Sequence, residues 1–343
     1  MSRGFDSDSF DLDDFRDADS WADSERAPYG RESVGRGREI GRGGTSSDLG
    51  VKRRLEKLRD AESASDCGCG HDREQPHRNR RPDARDTEIL RDKDRTKYAG
   101  RERSYSLRGS EIRTLGELGK FRVVSLEDLA QFAYGGNHER FRSDIRNLAE
   151  QGLVQRRETS AFKKESRPVL TLTKHGERLI RRYCCVPEDQ AIYSGLVKPK
   201  EAEHDSSLYR LYQKAAAEIE GNGGKILRVQ LDYELKEQLY RKLGRARLQD
   251  KTEAFHLKNG YAQQLYLPVV NGKVSFPDLR IEYANPEMEI ARVDLELATG
   301  HYHAGHLSEK ARAGFQIYAR PEDAAGLRRV RDDREIMTSI LSL

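Results

Sequence analysis

The chain has 343 residues, of which 35% are charged and 36% hydrophobic, and its formal net charge is only +4. It is long enough for two folded domains but too polar for all of it to be globular, so part is expected to be disordered. A charge so near balance names no partner, and the distribution along the chain carries the information instead.

No apolar run approaches the roughly 18 residues of a membrane-spanning helix, and the acidic sequence after Met1 does not read as a signal peptide. No membrane partner and a cytoplasmic location are therefore expected. Four cysteines lie in two close pairs, Cys67 with Cys69 and Cys184 with Cys185, which suits a reducing compartment better than a disulfide framework.

Residues 1–105 are rich in Arg, Asp, Ser and Gly and poor in aliphatic periodicity, the composition of a disordered charged arm. Within it, Phe5, Phe10, Leu12, Phe15 and Trp21 alternate with aspartates, either as a docking segment or as a solubilising tail. Val51, Leu55 and Leu58 at helical spacing among Lys and Arg suit a short basic helix that forms on a partner. Cys67, Cys69, His71 and His77 are zinc-competent, but their spacing matches no standard structural site.

Residues 107–185 are predicted to form a winged helix-turn-helix. Ile112, Leu115 and Leu118 mark a first helix, and Ser125-Leu-Glu-Asp128 opens a second with a capping signature. Gly135-Gly136 breaks it, and Asn137 can cap a third helix with Phe141, Ile145 and Leu148 on its apolar face. Arg140, Arg142, Ser143, Arg146 and Asn147 give that helix the chemistry of a major-groove reader. Two strands then enclose Arg156, Arg157, Lys163, Lys164 and Arg167, a basic wing able to lie along phosphates. Residues 136–185 hold 12 Lys and Arg against 6 Asp and Glu, which favours double-stranded DNA over a protein partner. The passage from Leu170 to Leu179 resembles the wing-to-last-helix run of winged-helix regulators.

Residues 186–203 carry Pro187 and Pro199 without periodicity and read as a linker. Residues 204–343 read as an α/β domain: a helix ending at Gly221, strands at 225–231, 276–283 and 290–297, and a helix over 307–318. The fold class expected for the whole chain is thus α+β. Asp278 precedes one strand, and Asp294 and Glu296 share a face of the next, because strand side chains alternate. Such carboxylates could hold Mg²⁺ or Mn²⁺ and activate water against a phosphodiester. The layout resembles PD-(D/E)xK nucleases, except that Glu296 stands where that motif has lysine. His301, His303 and His306 follow, either as metal or base candidates or as solvent-facing loop residues.

Taken together, His204-Asp205, Pro277-Asp278, the run from Asp294 to Gly300, and Lys310 with Tyr318 resemble the replication-relaxation family, over about residues 110–320. The resemblance implies a winged helix joined to a PD-(D/E)xK nuclease-like domain, with Asp278, Asp294 and Glu296 as the acidic and metal-binding centre. Lys310 would replace the missing strand lysine if the centre cleaves. Three functions follow as expectations. The first is a DNA-binding accessory protein of plasmid or mobile-element replication or transfer, with a relaxase or replication initiator as partner and a homodimer compatible with it. The second is a metal-dependent endonuclease, and the third a transcriptional repressor.

Overall fold

The computed structural model describes residues 95–343 apart from 102, 159–166, 184–185, 188, 196–198, 245–250, 301 and 334–337, and before them only Lys52 and Glu56. The acidic-aromatic segment, Val51, Leu55 and Leu58, all four cysteines, His71, His77, Lys163, Lys164 and His301 lie outside the described residues. The chain is mixed α and β, and among the described residues no helix is long and apolar enough to cross a membrane.

Ordered structure begins before residue 105, earlier than the composition of the arm predicts. Strands β1 (Thr96–Ala99) and β2 (Ser104–Leu107) pair as an antiparallel hairpin inside the stretch expected to be a disordered arm. Alternation explains it: Tyr105 and Leu107 point into the core while Ser104 and Ser106 stay exposed. Four residues are too short a run to stand out from the polar sequence around them.

Helix α1 (Gly109–Lys120) buries Leu115 and Leu118. After β3 (Val124–Ser125) comes α2 (Leu126–Tyr134), whose cap Ser125 accepts a hydrogen bond from the Asp128 N–H. It ends at Gly135, and Asn137 accepts from the Arg140 N–H to start α3 (His138–Glu150). Strands β4 (Val154–Glu158) and β5 (Pro168–Leu172) complete an antiparallel sheet in the order β3-β5-β4, and α4 (Lys174–Tyr183) closes this N-terminal body.

Residues 186–203, expected to be a linker, are fastened at several points. The Gln190 side chain exchanges two hydrogen bonds of 2.9 Å with the Val229 backbone. The N–H groups of Tyr193 and Gly195 donate to the carbonyls of Gly119 and Leu172. Helix α5 (Pro199–Gly221) already begins within this stretch. It is the spine of the molecule. Tyr209 and Tyr212 pack against Phe121 at 5.3 and 5.4 Å between ring centres, and Arg210 clasps Asp128 with two bonds of 2.8 and 2.6 Å. Leu208, Leu211 and Ala215 belong to the same continuous core as Val229, Leu279, Ile281 and Leu295 of the C-terminal sheet.

That C-terminal body contains β6 (Lys225–Leu231), α6 (Asp232–Gly244), α7 (Lys251–Gln264), a small hairpin β7 (Val269–Val270) and β8 (Lys273–Val274), then β9 (Leu279–Ala284) and β10 (Ile290–Ala298). It ends with α8 (Ala304–Arg312), β11 (Gln316–Ala319), α9 (Pro321–Asp333) and β12 (Ile340–Ser342). Five strands form one mixed sheet in the order β12-β11-β10-β9-β6, antiparallel across β10-β9-β6 and parallel across β10-β11-β12. The helix expected over 307–318 stops at Arg312 because Gly314 takes φ +77°, and the chain reverses into β11. Tyr318 therefore stands on a strand, not on the closing helix.

Candidate functional site

Two places gather the residues singled out in the sequence, and the structure treats their charges differently. The first is α3. Its apolar stripe, Phe141 with Leu148, includes Asp144, which is fully buried. A carboxylate there is tolerable only with partners, since an unpaired buried charge costs several kcal/mol by itself. Arg108 bonds one oxygen at 3.0 Å, while Ser110 at 2.6 Å and Tyr134 at 3.3 Å donate to the other. Arg140, one turn earlier, adds an ion pair at 3.3 Å and donates to Ser110. Burial first, and then the Asp144 charge, push the Tyr134 hydroxyl far above its ordinary pKa, so it stays a donor.

Arg140 is consequently not part of an outward reading surface. Asn147 is turned inward as well, donating to Glu111 at 2.9 Å and to the Ser106 carbonyl at 3.2 Å. These two corrections share one cause: both residues lie where α3 meets α1 and the β1-β2 hairpin. Arg142, Ser143 and Arg146 remain exposed on the outer face. Neither Arg142 nor Arg146 has a hydrogen-bond or ion-pair partner among the described residues, so both guanidinium groups are open to a ligand. On β4, Arg157 is exposed, and Arg156 is exposed with an ion pair to Glu158 at 3.0 Å. Arg167, just before β5, is exposed too.

The second place is the head of the β9-β10 ladder. Register puts Asp294 opposite Arg280 and Leu295 opposite Leu279. The next cross-strand step brings Glu296 toward Asp278. The Asp278 Oδ2 accepts the Leu297 N–H at 2.8 Å and faces His204 Nε2 of α5 at 3.4 Å. Glu296 is buried; its Oε1 accepts from the Tyr302 hydroxyl at 2.5 Å and lies 3.0 Å from the Lys310 amine of α8. Lys310 is anchored by donating to the Phe276 carbonyl at 2.8 Å.

Electrostatics separate the two acids. Burial, reinforced by the neighbouring Asp278 charge and only partly offset by Lys310, lifts Glu296 to about 7. Burial would also raise Asp278, but His204, the Leu297 N–H and Lys310 together outweigh it and hold that carboxyl below its ordinary range. Burial would lower the His204 imidazole, yet Asp278 and Asp205 prevail and raise it to about 10. The pair is thus an Asp278 that gives up its proton readily beside a Glu296 that holds its proton more tightly than an ordinary carboxyl.

Asp294 does not join them. Both of its oxygens accept from Arg280, at 2.6 and 2.8 Å, and that buried guanidinium also donates to the carbonyls of Leu265 and Tyr266. Of the three carboxylates, Asp278 and Glu296 thus sit side by side while Asp294 is paired with Arg280, and Lys310 of α8 lies beside Glu296. Among the described residues no three His, Cys, Asp or Glu side chains converge as metal ligands. His303 acts as the cap of α8, accepting from the His306 N–H, and its ring stacks on His306 at 3.8 Å. His204 and Tyr302 are the two members whose contacts the sequence did not specify. The chain matches no family model, no curated protein and no solved structure.

Proposed function

We propose that this chain is a DNA-binding accessory protein of plasmid or mobile-element replication or transfer, in which a winged helix-turn-helix at residues 107–185 selects the site. The observation that carries the reading is the outer face of α3, where Arg142, Ser143 and Arg146 stand exposed and the two guanidinium groups lack partners among the described residues. The element order helix, strand, helix, helix, strand, strand, helix and the sheet order β3-β5-β4 support the winged-helix assignment. Arg156, Arg157 and Arg167 supply a flanking basic edge suited to phosphates. The resemblance to the replication-relaxation family, carried by Pro277-Asp278 and the run from Asp294 to Gly300, points the C-terminal body toward a nuclease-like ancestry and toward a relaxase or initiator as partner.

The acidic centre fits a divalent cation poorly, because its oxygens already have partners: Asp294 is committed to Arg280, Glu296 Oε1 to Lys310 and Tyr302, and Asp278 Oδ2 to His204 and the Leu297 N–H. The C-terminal body in this reading engages DNA or a partner without cutting. Selection from a random pool of duplexes tests the first half: the full chain is expected to enrich a defined sequence, and failure to retain any duplex at low salt overturns the proposal. Incubation with supercoiled plasmid and Mg²⁺ or Mn²⁺ tests the second half. No nicking is expected, and nicking abolished by Asp278→Asn or Asp294→Ala would make the protein an endonuclease instead.

A further inference from the structure

A small cavity opens between the turn of the β1-β2 hairpin and the outer face of α4. Its volume is about 130 Å³, enough for several waters or one compact polyatomic anion. Arg101 and Arg103 line it from the hairpin turn, and His175, Arg178 and Arg182 from the helix, over a floor that includes Tyr105 and Leu179. Among the described residues, none of those lining it is a carboxylate. Glu177 of α4 is engaged elsewhere, with Arg181, Lys174 and Ser194.

The four arginines divide into two kinds. Arg103 and Arg182 are held by neutral partners: Arg103 donates to the Gln151 carbonyl and lies over the Tyr105 ring, while Arg182 donates to the Ala99 carbonyl and lies over Tyr183. Arg101 and Arg178 are exposed and have no hydrogen-bond or ion-pair partner among the described residues. The turn that carries Arg101 and Arg103 is tightly shaped. A Cβ on Gly100 would come within 2.6 Å of both the Arg103 carbonyl oxygen and the Tyr105 ring, so glycine lets the hairpin fold down against the helix. Like charges brought together in a concave site repel one another unless an anion enters, and fixed guanidinium forks match phosphate oxygens two at a time.

We infer that this cavity is a phosphate-binding site, distinct from the α3 face. The shared chemistry is a phosphate group, supplied either by a free phosphate ester or by the backbone of bound DNA. Only the DNA source rests on the function proposed above; the free-phosphate source stands without it. The site adds an anion contact formed by α4 and the β1-β2 turn, apart from the basic residues of α3 and the wing.

The test uses the full chain, its Arg101→Ala/Arg178→Ala double variant, and an Arg328→Ala/Arg329→Ala control that removes two exposed arginines from α9. Inorganic pyrophosphate is titrated by calorimetry, and duplex DNA by fluorescence anisotropy across a salt series. For a free phosphate ester, pyrophosphate affinity is expected to fall tenfold or more in the cavity variant alone, with the DNA salt slope unchanged. For a DNA phosphate, the slope of log K against log salt is expected to shrink by about 2, one counterion release per lost contact. Unchanged pyrophosphate affinity together with an unchanged slope overturns the inference, as does an equal loss in the α9 control. Because α3 is untouched in these proteins, DNA binding that is absent throughout sinks the proposed function while pyrophosphate still decides the cavity.

Discussion

The outer face of α3 in the N-terminal body and the head of the β9-β10 ladder in the C-terminal body handle charge in opposite ways. On the outside of α3, Arg142 and Arg146 are left facing water. At the head of the β9-β10 ladder, Arg280, Lys310 and His204 are turned inward onto Asp294, Glu296 and Asp278. Exposed unpaired cations retain their capacity for a ligand, whereas internally paired ones have already spent it on the fold. The same contrast recurs within α3 itself, whose inner face ties Arg140 to Asp144 while Arg142 and Arg146 on its outer face have no ion-pair partner among the described residues. A positive residue on such a helix is therefore open to a ligand only on the side away from the core.

The largest test of that contrast is Asp144→Ala. Removing the buried carboxylate strands Arg108 and Arg140, and breaking a buried pair typically costs about 3–5 kcal/mol. Urea denaturation is expected to show a loss of that order, and a loss below about 1 kcal/mol would place the network outside the load borne by the fold. Arg146→Ala is next. On the outer face it is expected to weaken a selected duplex by about 1–3 kcal/mol while changing nonspecific binding and stability less. Equal losses on both duplexes would reassign Arg146 to phosphate contact. Arg140→Ala should do the reverse, lowering the denaturation midpoint by way of Asp144.

The smallest expected effect is a pH dependence at the C-terminal centre. The folded state raises His204 from 6.5 to about 10, so the protonated ring contributes stability that is full below pH 6.5 and is lost as pH rises toward 10. His204→Gln is expected to flatten the fall in melting temperature across that window relative to the unsubstituted chain. The imidazole is about one-third exposed, so water screens the pair and the difference is modest. Parallel alkaline limbs in the two proteins would show that His204 does not sense Asp278.

Much of this was readable from the chain, and what escaped had identifiable causes. Ser125 and Asn137 are visible caps because their side chains replace missing helical acceptors at known offsets. Asp144 also left a signal: a carboxylate at a core position of the stripe that holds Phe141 and Leu148 demands a cation, and Arg140 stands one turn before it. By contrast, the pairing of Asp294 with Arg280 depends on strand register, which two separate segments do not reveal by themselves. The β1-β2 hairpin was hidden because its apolar residues are few and it gains its burial from partners far along the chain. Strand β11 was hidden by Gly314, whose turn ends α8 just as the apolar spacing continues.

The shared spine α5 has a consequence for how such a protein can be taken apart or inherited. With Tyr209 and Tyr212 seated against Phe121, and Leu208 and Leu211 in a core that reaches the C-terminal sheet, neither half ends in a finished surface. A cut anywhere between residues 186 and 203 would leave an unsealed seam of aromatic and aliphatic side chains on both fragments. The halves are consequently not interchangeable modules, and under the function proposed above a new DNA specificity would arise by changing side chains on α3 in place, not by exchanging one half for another.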